Sequence, residues 1–344
     1  MVLVTGATGL LGSHLVFRLV SNNEKVRAVY RRAEKLELVK RVFGYYSDTP
    51  ETLFEKVEWV EANLNDLPQL EKVFKDIDYV YHCAAFVSFE PDKFQQLRKI
   101  NIEGTANIVN LCIANNVKKL CYSSSVAALG KNLDPDKPIT EETEWNPAND
   151  HSVYAITKYG AELEVWRGSQ EGLDVVIVNP GVIIGPGFWR SGGSSSLIRK
   201  VALGMSYYTE GSTGYVDIDD VVEIMVRLVE SEIKTERFIL VSENLQFKNF
   251  IEQTANALGV PPPETKAGPW TLAIAWRLDW LRSKVMGKRR RISKQLAKSL
   301  QTKTLFSNEK IKSVLGYDFI PISHSIEKTV KYYQADYPDS VDIA

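Results

Sequence analysis

The stretch "MVLVTGATGLLGSHLVFRLV" (residues 1–20) decides the fold. "MVLVTG" reads as a strand, and the apolar positions from Leu10 to Ser21 keep helical spacing. Gly6, Gly9 and Gly12 lie directly between the two. Small residues there let the backbone turn tightly, approach a pyrophosphate and pack a helix closely on a sheet. An ordinary tight turn needs one glycine rather than three. The free N–H groups and the positive end of the helix then meet the phosphates.

Outward from this stretch, β-branched runs alternate with helical patterns. "KVRAVY" (25–30), "VEWVEA" (57–62), "DYVYHCAA" (78–85), "KKLCYSSS" (118–125) and "LDVVIVNPG" (173–181) read as strands two to six. Helical segments separate them, the longest from Asp92 to Asn116. Such alternation predicts an α/β fold with a Rossmann-type, doubly wound parallel sheet covered on both faces, its ligands beyond the carboxyl ends of the strands. Past Pro180 the rhythm breaks. "GVIIGPGFWRSGGSSS" (181–196) reads as a loop, "GYVDIDDVVEIMVRLVE" (214–230) as a turn into a helix capped by Asp219, and "RFILVS" (237–242) as a strand returning to the sheet. From "PPPETKAGPW" (261–270) the pattern is helical, ending in an amphipathic helix near Ile322–Tyr333. These patterns predict a dinucleotide-binding part over 1–180, with the returning strand, and a smaller, mostly helical substrate-binding part over 181–344.

Composition sets the class. The chain has 344 residues, 44% hydrophobic and 25% charged, with a net charge of -1, so no bulk field draws nucleic acid or acidic membranes. Cys83, Cys112 and Cys121 are odd in number and form no CxxC pair, which suits reduced thiols in a cytoplasmic protein. The first strand begins at Met1, leaving no room for a signal or transit peptide. No apolar run reaches the roughly 20 residues that span a bilayer. No His, Cys or carboxylate grouping has metal-ligand spacing, so no metal is expected.

"HSVYAITKYG" (151–160) puts Tyr154 and Lys158 four apart on the first turn of a helix. Helix packing explains such a pair, and so does proton transfer: a nearby ammonium stabilises a phenolate and lowers the phenol pKa from about 10. Upstream, Ser123, Ser124 and Ser125 compete as hydroxyl donors. Strand alternation turns Ser124 to the opposite face from its neighbours. Asn101 serves equally as a helix-end structural residue or a proton relay, and His82 reads as a supporting strand residue because it has no triad partner.

The TGxxGxxG spacing of Gly6, Gly9 and Gly12, with Tyr154-xxx-Lys158, resembles the short-chain dehydrogenase/reductase superfamily. "DYVYHCAA", "INIEGTANIV", "YSSSVAALG", "NPGVIIGPG" and "YVDIDDVV" point to its extended branch of epimerases, dehydratases and reductases, and the likeness runs over 1–230. "LGYDFIPISHSIEKTVKYY" (315–333) is similar to the usual tail. The resemblance implies that Tyr154 is the general acid/base, that Lys158 binds ribose and lowers the tyrosine pKa, and that a serine polarises the substrate oxygen. In related chains that serine lies five residues before the closing glycine, here Gly130, which selects Ser125. It also implies that a nicotinamide dinucleotide is held by Thr5, Gly6, Gly9, Leu10, Leu11, Gly12, Arg31, Arg32, Asn63, Leu64, Ala84, Ala85, Tyr154, Lys158, Pro180, Gly181 and Val182. Homodimerisation through helices near 92–116 and 152–170 is a further expectation from the resemblance.

Within that family three functions compete. Ser125 is followed by Val126 and Ala127, not by the acidic pair of the dehydratases, and "KVRAVYRRAEK" (25–35) carries Arg31 and Arg32 where NAD-using sugar epimerases place an acid. The loop "NPGVIIGPG" (179–187) resembles that of dihydroflavonol-4-reductase-like and 3β-hydroxysteroid dehydrogenase-like members. The expected activity is therefore a reductase or dehydrogenase for a ketone, aldehyde or secondary alcohol, with a nucleotide-sugar epimerase or dehydratase as the alternative and a non-catalytic cofactor sensor as a third. NADP is expected rather than NAD, because an arginine at the end of the second strand accommodates the ribose phosphate. Glu34 is close enough in sequence to compete for the same arginines. The substrate is a small molecule, with only weak support for a hydrophobic one. "WTLAIAWRLDWLRSKVM" (270–286) puts Leu272, Trp276 and Trp280 on one helical face, read as core or dimer contact before substrate wall. "GKRRRISK" (287–294) reads as a solvated helix end, with a membrane surface as the other reading.

Overall fold

A computed structural model describes residues 1–338 except 133, 135, 192, 288, 289 and 291. Its centre is a parallel sheet of seven strands. The first six are β1 (Val2–Thr5), β2 (Val26–Tyr30), β3 (Glu58–Glu61), β4 (Tyr79–His82), β5 (Lys119–Ser123) and β6 (Val175–Pro180). Six shorter or later strands follow: β7 (Val182–Ile184), β8 (Tyr207–Tyr208), β9 (Ser212–Asp217), β10 (Glu236–Leu240), β11 (Glu243–Gln246) and β12 (Thr265–Lys266). The sheet order is β10-β6-β5-β4-β1-β2-β3. From β1 the chain winds outward through β2 to β3, then returns to β4 on the other side of β1 and winds the opposite way. That reversal makes the β1/β4 boundary the switch point, where a crevice opens beyond the strand ends.

The sheet is buried on both faces. On one side the helices Leu10–Ser21 and Ile218–Glu230 bring Leu15, Val16, Val222 and Met225 onto Val4, Ala28 and Val178. On the other, Gly104–Ala114 and Val153–Gln170 bring Ile108, Val109, Ala161 and Val165 onto Leu3, Val80, Leu120 and Ile177. Covered on both faces, the inner strands β1 and β6 are apolar almost throughout, whereas the edge strand β3 leaves Glu58 and Glu61 exposed. The long helix expected over Asp92–Asn116 includes a π-helical stretch at Arg98–Glu103. Such π turns recur at functional sites.

A second layer forms beyond β6. β7 pairs in parallel with β9, and β11 joins β9 antiparallel. These strands and the helices Ser195–Ala202, Phe247–Leu258 and Ile322–Asp336 enclose Trp189, Ile198, Tyr215, Phe250, Ile326 and Tyr333. Two readings are corrected here. The stretch 181–196 is not wholly a loop, because β-branched Val182–Ile184 pair with β9 and a helix starts at Ser195. The helix at Ile218 is preceded by a strand, and its N-cap is Asp217, whose carboxylate accepts from the Asp219 N–H at 2.8 Å. Asp219 lies two residues past the cap position, inside the first turn, and pairs with Lys328 instead.

The helix Pro269–Met286 splits its apolar residues between two sides. Leu272 is buried and Trp276 packs with Ala267 and Ala297, but Trp280 is 41% exposed, so the expected single buried face is only partly realised. Within the basic run, residues 288, 289 and 291 lie outside those described. Among the described residues no helix is long and apolar enough to cross a membrane.

Candidate active site

The glycine turn leaves no room for side chains. Gly6 has φ +71°, and a Cβ there would lie 2.5 Å from the Ala84 nitrogen. A Cβ on Gly12 would lie 2.3 Å from the Gly6 carbonyl oxygen. Gly9 opens the helix Leu10–Ser21, and among the described residues no side chain caps its N-terminal amides. Leu11 is buried behind the turn and Leu10 half-buried. A backbone cradle of this shape fits a dinucleotide pyrophosphate.

The other expected binding positions line the same edge of the sheet. Arg31 and Arg32 follow β2, both exposed, and neither pairs with Glu34 or another acid among the described residues. Lys35 adds a third cation there; burial lowers its pKa, with the charges of Arg32 and Arg31 acting the same way. Asn63 is exposed after β3 and its side chain accepts from the Asn65 N–H, while Leu64 is buried. Ala84 and Ala85 follow β4; Pro180 ends β6, with Gly181 and Val182 just beyond it.

At the switch point a buried polar chain joins the two halves of the sheet. His82 Nδ1 lies 2.6 Å from the Thr5 hydroxyl, and Nε2 lies 2.9 Å from the Thr105 hydroxyl. Burial pushes the His82 pKa down to about 3, so the ring is neutral and ties strands together. Asn101 likewise holds structure. Its amide oxygen accepts from the Phe86 N–H at 2.8 Å, and its NH₂ donates to the Phe86 carbonyl at 3.0 Å and the Thr157 hydroxyl at 3.1 Å. This clamp fixes the loop after β4 against the helix that carries Tyr154.

That helix, Val153–Gln170, is capped by Ser152, which accepts from the Ala155 N–H at 3.1 Å. The cap sets Tyr154 in the first turn, facing the end of β5. Burial pushes the Tyr154 phenol up to about 12, and a hydrogen bond with Ser125 pulls the other way. Ser125 also accepts from the Ala127 N–H at 3.2 Å. Ser124 points away and donates to the Glu162 carboxylate at 2.7 Å. Of the three serines, Ser125 is the one whose hydroxyl acts on the Tyr154 phenol.

Lys158 does not sit as the simple pairing reading supposed. Its ammonium donates to the Tyr122 hydroxyl at 2.7 Å and the Ser123 carbonyl at 2.8 Å, one turn deeper than the phenol. Burial lowers the Lys158 pKa to about 7, with Glu162 and then Cys83 opposing. The expected lowering of the Tyr154 pKa is thus absent here, because burial of the phenol outweighs the bond from Ser125.

Three residues escaped the sequence reading: Tyr122, Lys35 and Glu162. Glu162 is buried and accepts from Ser124, from the Asn179 amide at 3.0 Å and from Arg237 of β10 at 3.0 Å. Its one sequence signal was the spacing Tyr154, Lys158, Glu162, which continues a single helical face. Burial pushes the Tyr122 phenol well above its usual range, so it stays a neutral acceptor for the lysine. The cysteines are unpaired, and burial raises the Cys83 thiol to about 12. Among the described residues no cluster of His, Cys, Asp or Glu is placed to hold a metal ion.

Comparison with known proteins fits this geometry. The family model described as the NAD dependent epimerase/dehydratase family matches residues 2–240. A sterol demethylase protein B of Methylococcus capsulatus is 29% identical over 78% of this chain and 77% of its own. A putative dihydroflavonol 4-reductase of Synechocystis is 27% identical over 79% and 77%. A crystal structure of gox2253 superposes with a TM-score of 0.80 at 26% identity, covering 98% of each chain.

Proposed function

The chain belongs to the NAD dependent epimerase/dehydratase family, and from that premise we propose an NADP-preferring reductase or dehydrogenase for a ketone, aldehyde or secondary alcohol. What carries the reading is the placement of Ser125, just past the end of β5, and Tyr154, in the first turn of its helix, at the carboxyl edge of the sheet, with Lys158 buried behind them. The glycine cradle would hold a nicotinamide dinucleotide, which would supply or take a hydride at the substrate carbon. In the reductive direction negative charge grows on the carbonyl oxygen. Ser125 donates a hydrogen bond to that oxygen and Tyr154 gives it a proton. Lys158, oriented by Tyr122 and the Ser123 carbonyl, lends positive charge to the phenolate left behind and is the residue to hold ribose.

The preference for NADP rests on Arg31 and Arg32, exposed and without acidic partners among the described residues, and on Lys35 beside them. A guanidinium–phosphate pair contributes roughly 1.5–3 kcal/mol, about tenfold or more in affinity. Titration of NADP and NAD against wild type and Arg31→Ala tests this. The expected result is NADP preference in wild type that shrinks about tenfold in the variant; a wild-type preference for NAD would sink it.

A nucleotide-sugar reading has support of its own: a UDP-glucose 4-epimerase of Vibrio cholerae is 24% identical over 80% of this chain. Val126 and Ala127 after Ser125, and arginines rather than an acid after β2, weigh against it. A cofactor sensor would have no use for the phenol. We further read residues 1–180 with β10 as the cofactor-binding part, and 181–344 as the substrate-binding part in a cytoplasmic enzyme. Ile156 and Leu163, exposed on the Tyr154 helix, suit a homodimer contact.

A further inference from the structure

We propose that the helix Pro269–Met286 docks in the plane of an anionic lipid surface, holding the enzyme at a membrane without crossing it. Its inner side is satisfied: Leu272 and Trp276 pack with Ala267, Ala297, Ile292 and Leu300. Its outer side carries a second apolar stripe. Trp270 is 85% exposed, Ile274 57%, Leu278 61%, Leu281 52% and Val285 75%. At about 100° per residue these five fall within an arc of roughly 80°. Large apolar side chains scattered singly are ordinary, but a continuous stripe of five marks a surface that something covers.

Charge identifies what covers it. Arg277 and Lys284 flank the stripe on one edge, and neither pairs with an acid among the described residues. The one carboxylate on the helix, Asp279, faces inward, pairs with Arg282 and accepts from the Ile292 N–H at 3.0 Å. From residue 280 to 308 the sequence holds nine lysines and arginines and no acid. A second copy of this face would set like charges against each other across the contact. An anionic bilayer surface instead offers an apolar boundary for Trp270 and Leu278 together with headgroup charge for the cations. The neighbouring short helix Lys294–Ser299 reaches towards the candidate site, since Lys298 pairs with Asp150 at 2.6 Å, four residues before Tyr154. This inference stands apart from the reductase reading.

Flotation of the full-length protein with phosphatidylcholine vesicles, with and without phosphatidylglycerol, tests it. Wild type is expected to float only with phosphatidylglycerol present, and less as salt rises. Leu278→Asp with Leu281→Asp should weaken binding by about tenfold or more, and Arg277→Gln with Lys284→Gln by about tenfold. Because these positions are exposed, an unchanged circular dichroism spectrum confirms that the variants fold. Wild type that fails to float on phosphatidylglycerol, or variants that float as wild type does, would overturn the proposal. So would a dimer, seen by light scattering, that the Leu278 and Leu281 changes dissolve in protein that never floats, since a second copy would then cover the stripe.

Discussion

The Lys158 ammonium donates to the Tyr122 hydroxyl across 2.7 Å, and its ring lies with the nitrogen 4.4 Å from its centroid. A lysine this deep keeps its charge only if its protons have partners, and a buried unpaired ammonium would lose its proton instead. Tyr122 is one such partner and the Ser123 carbonyl the other. In the proposed reaction Tyr122 is therefore a positioning residue, holding Lys158 behind Tyr154.

Tyr122→Phe keeps the ring and removes the acceptor. The Lys158 pKa, already lowered to about 7 by burial, should fall further. If turnover needs the charged lysine, the alkaline limb of the pH–rate profile should move to lower pH, with cofactor binding weakened in parallel. A purely packing role for the hydroxyl would lower activity evenly and leave that limb where it is.

The same lysine makes stability depend on pH. Its pKa is lowered from 10.5 in the unfolded chain to about 7 in the fold, so between those values the unfolded chain binds more protons. Stability should rise with pH across that window and be depressed below about 7, where the charged amine is buried. Tyr154 and Cys83, raised to about 12, act in the opposite direction only near and above their ordinary values of 10.0 and 9.0. Denaturant unfolding of wild type and Lys158→Met at pH 7 and 9 isolates the effect: wild type should gain on the variant by a few kcal/mol between them. Parallel stability at the two pH values would contradict the buried-amine assignment.

Glu162 and Arg237 form a pair in which the carboxylate is 1% exposed and the guanidinium 21%. Arg237→Met strands the carboxylate with only Ser124 and Asn179, and should cost roughly 3 kcal/mol in denaturant unfolding. Adding Glu162→Gln to that variant should recover part of the loss, because the stranded charge is gone. A loss below about 1 kcal/mol would mean that water or rearrangement satisfies the carboxylate.

The glycine loop and the first helix, Leu10–Ser21, were legible because their spacing is local: three glycines, then an apolar helical face. The parallel sheet followed from the alternation of β-branched runs with helices. Less legible was whatever depends on partners far apart in the chain. Arg237 reaches Glu162 across 75 residues, and Lys158 reaches Tyr122 across 36, so no window of sequence shows either. In 181–196, glycine and serine content concealed Val182–Ile184, whose strand character comes from pairing with β9. Asp217 and Asp219 are both good capping residues, and only the turn geometry chose between them.

The most direct measurement is net nicotinamide oxidation by wild type and Tyr154→Phe, supplied with NADPH and panels of ketones, aldehydes and nucleotide sugars. A reductase consumes one cofactor per product, whereas an epimerase takes a hydride and returns it. The account predicts steady loss of NADPH absorbance with a ketone or aldehyde, falling about 10²–10⁴-fold in Tyr154→Phe while cofactor binding persists. Epimerised nucleotide sugar with no net change in nicotinamide, or a Tyr154→Phe enzyme within twofold of wild type, would contradict it.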